Sequence, residues 1–290
     1  MIKYSLPDFT SALGLNLFFA RLGQFSPQVM RPGVKIDSIY GCFPSCSLNG
    51  GRAAINGAYP PEKIRWTFDV LAEYGLTPRL TLTNMLATVA DLDDPYTQFI
   101  LEEAAKAHAQ AIVYSPEVGR AIRERYGLSL VLSTTHEILT PEKLNEALGQ
   151  FDLVVLNYNF GKDAEFLRQV KRPEKLEVMV NEYCQPACPR RQAHYLHNSR
   201  DQREGNLEAF ACPAQKPSFF SHPENHPILF TAQEAEATAR EYGIEYFKIV
   251  GRGTSFEANL EALTYYLVRP EFHAQVKQEV LRQVGRAPSR

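Results

Sequence analysis

Short runs of β-branched and aromatic residues recur along the chain, each followed by a stretch whose apolar positions return every three or four residues. The predicted strands are IKYSL (2–6), VKIDSIYG (34–41), PRLTLTN (78–84), QAIVYS (110–115), LSLVLSTT (128–135), DLVVLNYN (152–159), KLEVMVNEY (175–183) and EYFKIVG (245–251). Most are apolar without strict alternation, as expected of parallel strands covered on both faces.

The intervening segments carry helix signals. In PPEKIRWTFDVLAEYG, Ile64, Phe68 and Leu71 share one face, a proline opens the helix and Gly75 closes it. TPEKLNEAL offers Thr140 as N-cap and Pro141 at the first helical position. TAQE (231–234) and TSFE (254–257) both fit a capping box, an N-cap hydroxyl with Glu three residues on. Strand and helix alternate without a linker-like tract, which predicts one (β/α)₈ TIM-like barrel over residues 1–290, with a doubly wound open sheet as the alternative. Residues 184–230 break the rhythm. This Cys/His/Pro-rich stretch between the seventh and eighth strands reads as a long functional loop.

Bulk properties narrow the function. At 290 residues with net charge −2, the chain has no electrostatic footprint for nucleic acid. It has no run of about 18 apolar residues, so no membrane span is expected. MIKYSLPDF lacks the apolar core of a signal peptide, which points to the cytoplasm. There, clustered cysteines bind metal or do redox chemistry more often than they form disulfides.

Barrel enzymes take their catalytic groups from the C-terminal strand ends and the loops that follow. Here those ends are polar: YGCFPSCSLNGGR, Thr83-Asn84, Ser133-Thr134-Thr135-His136, Asn157 and Asn159, Asn181-Glu182, and Gly251-Arg252-Gly253-Thr254. The topology would bring Cys42, Cys46, Cys184 and Cys188 to one rim, with Cys212 in the loop above it. Thiolates converging in this way could hold Zn²⁺ or an iron–sulfur cluster, whereas buried packing is the plain role of cysteine. Asn49 to Arg52 could form an anion-binding turn, and Arg252 stands beside a helix N-terminus. Arg190, Arg191, His194 and His197 form a basic group beyond Cys188. Glu182 is the candidate general base.

FKIVGRGTSFEANLEALTYYLVRPE resembles the K-I-E-G-R-x-K-S segment of the collagenase-like peptidases, the unassigned peptidase family thirty-two. IDSIYGCFPSCSLNGGR resembles that family's early A-D-A-V-Y-L-G strand end. The pattern is nearest to its UbiV/UbiU-like iron–sulfur members, which serve oxygen-independent ubiquinone hydroxylation and have RNA-hydroxylating relatives. The resemblance implies a [4Fe–4S] cluster held by Cys46, six residues after Tyr40, with Cys184, Cys188 and Cys212. It also implies a possible homologous protein partner.

These expectations combine into a cluster-bearing barrel enzyme catalysing a redox or hydroxylation-type modification of a small anionic substrate or RNA. Glu182, Asn181 and His194 would act in catalysis. Asn49, Arg52, Asn84, Arg191 and Arg252 would bind substrate. Two alternatives stay open: a cysteine- or zinc-dependent peptidase or amidohydrolase, for instance with Cys46 as nucleophile beside His136 or His194, and a non-catalytic metal-binding subunit.

Overall fold

The computed structural model describes residues 1–50, 57–206, 209–212, 226–251 and 253–284. Among them, eight parallel strands close into a barrel in chain order. They are β1 (Ile2–Pro7), β2 (Val34–Gly41), β3 (Thr77–Leu82), β4 (Gln110–Val113), β5 (Ser129–Leu132), β6 (Leu153–Val155), β7 (Leu176–Met179) and β8 (Tyr246–Lys248). An open sheet would leave two unpaired edges. Here β1 pairs with β8 through Lys3↔Tyr246, Tyr4↔Phe247 and Ser5↔Lys248, which rules out the doubly wound alternative.

Around the barrel lie α1 (Leu13–Phe25), α2 (Pro61–Glu73), α3 (Pro95–Lys106), α4 (Pro116–Tyr126), α5 (Pro141–Gln150) and α6 (Ala164–Arg168). They are followed by α7 (Arg191–Glu204), α8 (Ala232–Tyr242), α9 (Phe256–Leu267) and α10 (His273–Gln283). The predicted start signals operate. Thr140 caps α5 by accepting from the Lys143 N–H, and Thr231 and Glu234 form the capping box of α8. At α9 the cap is Ser255 rather than Thr254, whose hydroxyl instead donates to the Gly251 carbonyl.

Two corrections concern element extents. Residues 184–230 are not all loop, since α7 runs through them and ends at Gly205 in the left-handed conformation. Its sequence, RQAHYLHNSRDQRE, has too few apolar residues to show a periodic stripe. Several strands also stop short of their predicted ends, because their polar tails turn the backbone away from the ladder. Asn84 Oδ1 accepts from the Leu86 N–H, Ser133 Oγ from Thr135 and Asn157 Oδ1 from Asn159.

The unbroken apolar runs reflect two separate cores. Leu80, Val113, Leu130, Leu132, Val178, Phe247 and Ile249 face outward and pack with helix residues such as Phe19, Ile64, Ile100 and Leu263. Tyr40, Ile112, Val131, Val155, Met179 and Val250 fill the barrel itself.

Candidate active site at the barrel mouth

The period-2 alternation that turns Leu80, Val178 and Phe247 outward turns Arg79, Glu177 and Lys248 inward. All three are buried, at 1%, 0% and 8% exposure. Arg79 Nη1 lies 2.5 Å from Glu177 Oε1, and its other terminal nitrogen is 3.6 Å from Asp37. Lys248 Nζ is 3.9 Å from Glu177 Oε2 and 3.7 Å above the centre of the Tyr40 ring. Tyr40 is fixed by its hydroxyl, which donates to the Ile249 carbonyl. Burying charges is costly unless they are paired, and this column pairs them across β2, β3, β7 and β8.

A cavity of about 100 Å³ opens at the C-terminal mouth, with Lys248, Thr81, Ser133, Met179, Glu182 and Arg191 in its wall. Gly50 also lines it. A methyl group there would sit 2.1 Å from Thr83 Oγ1, so the β2 loop reaches the barrel only through a residue without Cβ. Arg191 descends from the start of α7. It pairs with Glu182 at 2.7 Å and lies over the rings of Tyr158 (4.0 Å) and Tyr195 (4.9 Å). Burial opposes its charge, but Tyr195 and Glu182 hold the guanidinium firmly protonated. Its Nε has no hydrogen-bond partner among the described residues. Glu182 Oε1 accepts from the Cys184 N–H, so this carboxylate anchors both α7 and the turn after β7.

The remaining predicted site residues divide. Asn181 is fully buried, and its amide bonds the N–H and carbonyl of Val250 at 2.6 and 2.7 Å. It extends the β7–β8 pairing by one rung and so works as a positioning residue. Asn84 donates to the carbonyls of Asn49 and Ser199, tying the β2 loop to α7. Asn49 is buried in that same junction. His194 stacks on Phe210 at 4.6 Å and is not part of the cavity wall. Arg52 and Arg252 lie outside the described residues.

Four of the five cysteines form two pairs. Cys42 and Cys46 are buried in the outer core, at 2% and 1% exposure. A hydrogen bond from Cys42 holds the Cys46 thiol below the ordinary thiol range despite burial, helped by the Leu48 backbone and by Thr97 at 3.8 Å. Cys184 and Cys188 share a hydrogen bond near the mouth, and burial pushes Cys184 above that range. Cys184 packs against the inner core. Among the described residues no three His, Cys, Asp or Glu side chains are grouped to hold a metal. Cys46 thus stands beside Cys42 and Cys184 beside Cys188, while Cys212 is half-buried. Among the described residues Cys46 bonds Cys42 and Thr97, His136 the Tyr114 carbonyl, and His194 stacks on Phe210.

Lys248, Glu177 and Arg79 went unnoticed as site residues in the sequence. Their signal was a charge flanked by apolar residues in each of three strands, Arg79 in β3, Glu177 in β7 and Lys248 in β8.

Fold and mouth together define a TIM-barrel protein with a charged interior. The fold is similar to that of the U32 peptidase Mk0906, at 15% identity and TM-score 0.55, over 87% of this chain and 93% of that one. That is the family whose pattern the two ends of the sequence resemble. Weaker likenesses reach the spore cortex-lytic enzyme SleL of Bacillus cereus (13% identity, TM-score 0.44, 91% and 74% covered) and a chitinase from Chromobacterium violaceum (9%, 0.43, 92% and 99%). No family model matches the chain, and no curated protein matches it. Among the described residues no helix is long and apolar enough to cross a membrane.

Proposed function

We propose that this chain is a barrel enzyme that binds a small anionic molecule at its mouth and modifies it there. The observation that carries this reading is the pairing of two buried cations on one small cavity. Lys248 and Arg191 both line it, and the Arg191 Nε–H has no partner among the described residues. A guanidinium nitrogen and an ammonium are strong donors to a carboxylate or phosphate. Thr81, Thr83, Ser133 and Thr135 add hydroxyls around the same space. A cavity this small, well below the roughly 300 Å³ of an ordinary ligand site, receives one functional group of a substrate. That favours a small molecule over RNA.

The redox or hydroxylation type of reaction follows from the family resemblance, and a cluster ligated by Cys46, Cys184, Cys188 and Cys212 remains part of that proposal alone. Of these four, Cys184 and Cys188 share a hydrogen bond, and no step is routed through a cluster. Anaerobic purification with iron and sulfide counts tests it directly. Binding is tested by calorimetry with short-chain carboxylates and inorganic phosphate. At least one should bind, and Lys248→Met and Arg191→Leu should each weaken it about tenfold or more, the loss of one charge-assisted hydrogen bond. Equal binding by wild type and both variants would overturn the reading.

A further inference from the structure

We infer that Lys248 is a covalent amine, forming an imine with a small aldehyde or ketone that carries an acid group. This rests on the anion-binding reading of the mouth and goes beyond it by assigning a nucleophile. Three observations meet at Lys248. Lys248 lines the mouth cavity, into which a bound carbonyl would enter. Ile112, Met179 and Val250 make its lining largely apolar, which favours loss of water from an addition product. The third is Glu177. Arg79 holds its Oε1 at 2.5 Å, while its Oε2 is buried, without a hydrogen-bond partner among the described residues, and 3.9 Å from the amine.

That free carboxylate oxygen is placed to move the proton. Lys248 as ammonium gives one proton to Glu177 Oε2. The amine lone pair attacks the carbonyl carbon, the C–N bond forms, and the oxygen takes protons from Glu177 and from nitrogen. The C–O bond then breaks, releasing one water and leaving an iminium. The balance is ammonium plus carbonyl giving iminium plus water, with no oxidant or reductant. The protonated imine carries a positive charge, and the Tyr40 ring face 3.7 Å from the nitrogen stabilises it as it does the ammonium. An acid group next to the carbonyl would meet Arg191 on the wall.

The test uses the full chain with pyruvate or glyoxylate and sodium cyanoborohydride, followed by peptide mass spectrometry. One reduced adduct on the peptide holding Lys248 is expected, at a rate lowered at least tenfold by Glu177→Gln. Lys248→Arg keeps the charge over Tyr40 but cannot form an imine, so it should fold, read by a circular dichroism melt like that of the wild type, and give no adduct. Absence of adduct, or adducts spread over surface lysines and unchanged in Lys248→Arg, would overturn the inference. Lactate binding that depends on Lys248 without adduct formation would reject the imine and leave the anion-binding reading standing.

Discussion

Glu177 is the residue whose loss should reveal how the charged interior is held. It is fully buried between Arg79 at 2.5 Å and Lys248 at 3.9 Å. Glu177→Gln keeps the shape of the side chain and removes the charge, leaving two cations inside the barrel. Removing one partner of a buried pair costs about 3–5 kcal/mol, chiefly through the charge left behind. Asp37, 3.6 Å from Arg79 and one-fifth exposed, offsets part of this, so the lower end, about 3 kcal/mol, is expected. For a chain of this size each kcal/mol lowers the melting temperature by about 2 °C or slightly more, giving a fall of roughly 6 °C. Calorimetry or circular dichroism melting reads it. The double variant Arg79→Met with Glu177→Gln removes both charges and should recover most of the loss, a coupling of about 2 kcal/mol. A Glu177→Gln variant as stable as wild type, or strictly additive effects in the double variant, would refute the description of the column as a coupled unit.

Three other outcomes follow from local geometry. Gly50→Ala drives a methyl into Thr83 Oγ1 at 2.1 Å and should cost about 1–3 kcal/mol in melting experiments, partly recovered by Thr83→Ala. Burial raises the Asp91 carboxyl, but hydrogen bonds from Thr88 and the ion pair with Arg203 at 2.7 Å outweigh it and hold it below the ordinary carboxylate range. A depressed carboxylate adds stability above its unfolded value and loses it as pH falls through the folded one. Asp91→Asn should therefore flatten the acid limb of a stability–pH curve by less than about 1 kcal/mol, since the pair is partly exposed. Timed alkylation of the native protein with iodoacetamide should label Cys188 and Cys212 before Cys42 and Cys46, because burial denies access even to the acidified Cys46; early labelling of Cys46 would contradict its placement.

The barrel was readable because its determinants are local. Apolar runs at strand length, prolines at helix starts and hydroxyl caps survive folding unchanged, as at Thr140 and Thr231. The errors came where tertiary context decides. Asn84, Ser133 and Asn157 look like strand residues until their side chains capture the backbone two residues on. The helix α7 has no apolar stripe, because what it buries is Arg191, Tyr195 and Ser199.

The site was harder to read for a related reason. Polar residues at strand ends attracted attention, yet several of them bond backbone. Asn181 bridges to Val250, and Asn84 joins the β2 loop to α7. The charges of the interior column lie three to four residues deeper than the polar strand ends, inside runs that read as hydrophobic. PRLTLTN, KLEVMVNEY and EYFKIVG each carry a charge whose two-residue period shares a face with Thr81, Met179 and Val250. On an outer barrel face such a charge would be buried against helices with no ion to pair it. On the inner face, four strands converge, and the excess of one sign in Arg79 and Lys248 is met by Glu177 and Asp37. A closed barrel thus makes a set of individually unfavourable charges mutually supporting, and of the four only Lys248 also lines the cavity at the mouth.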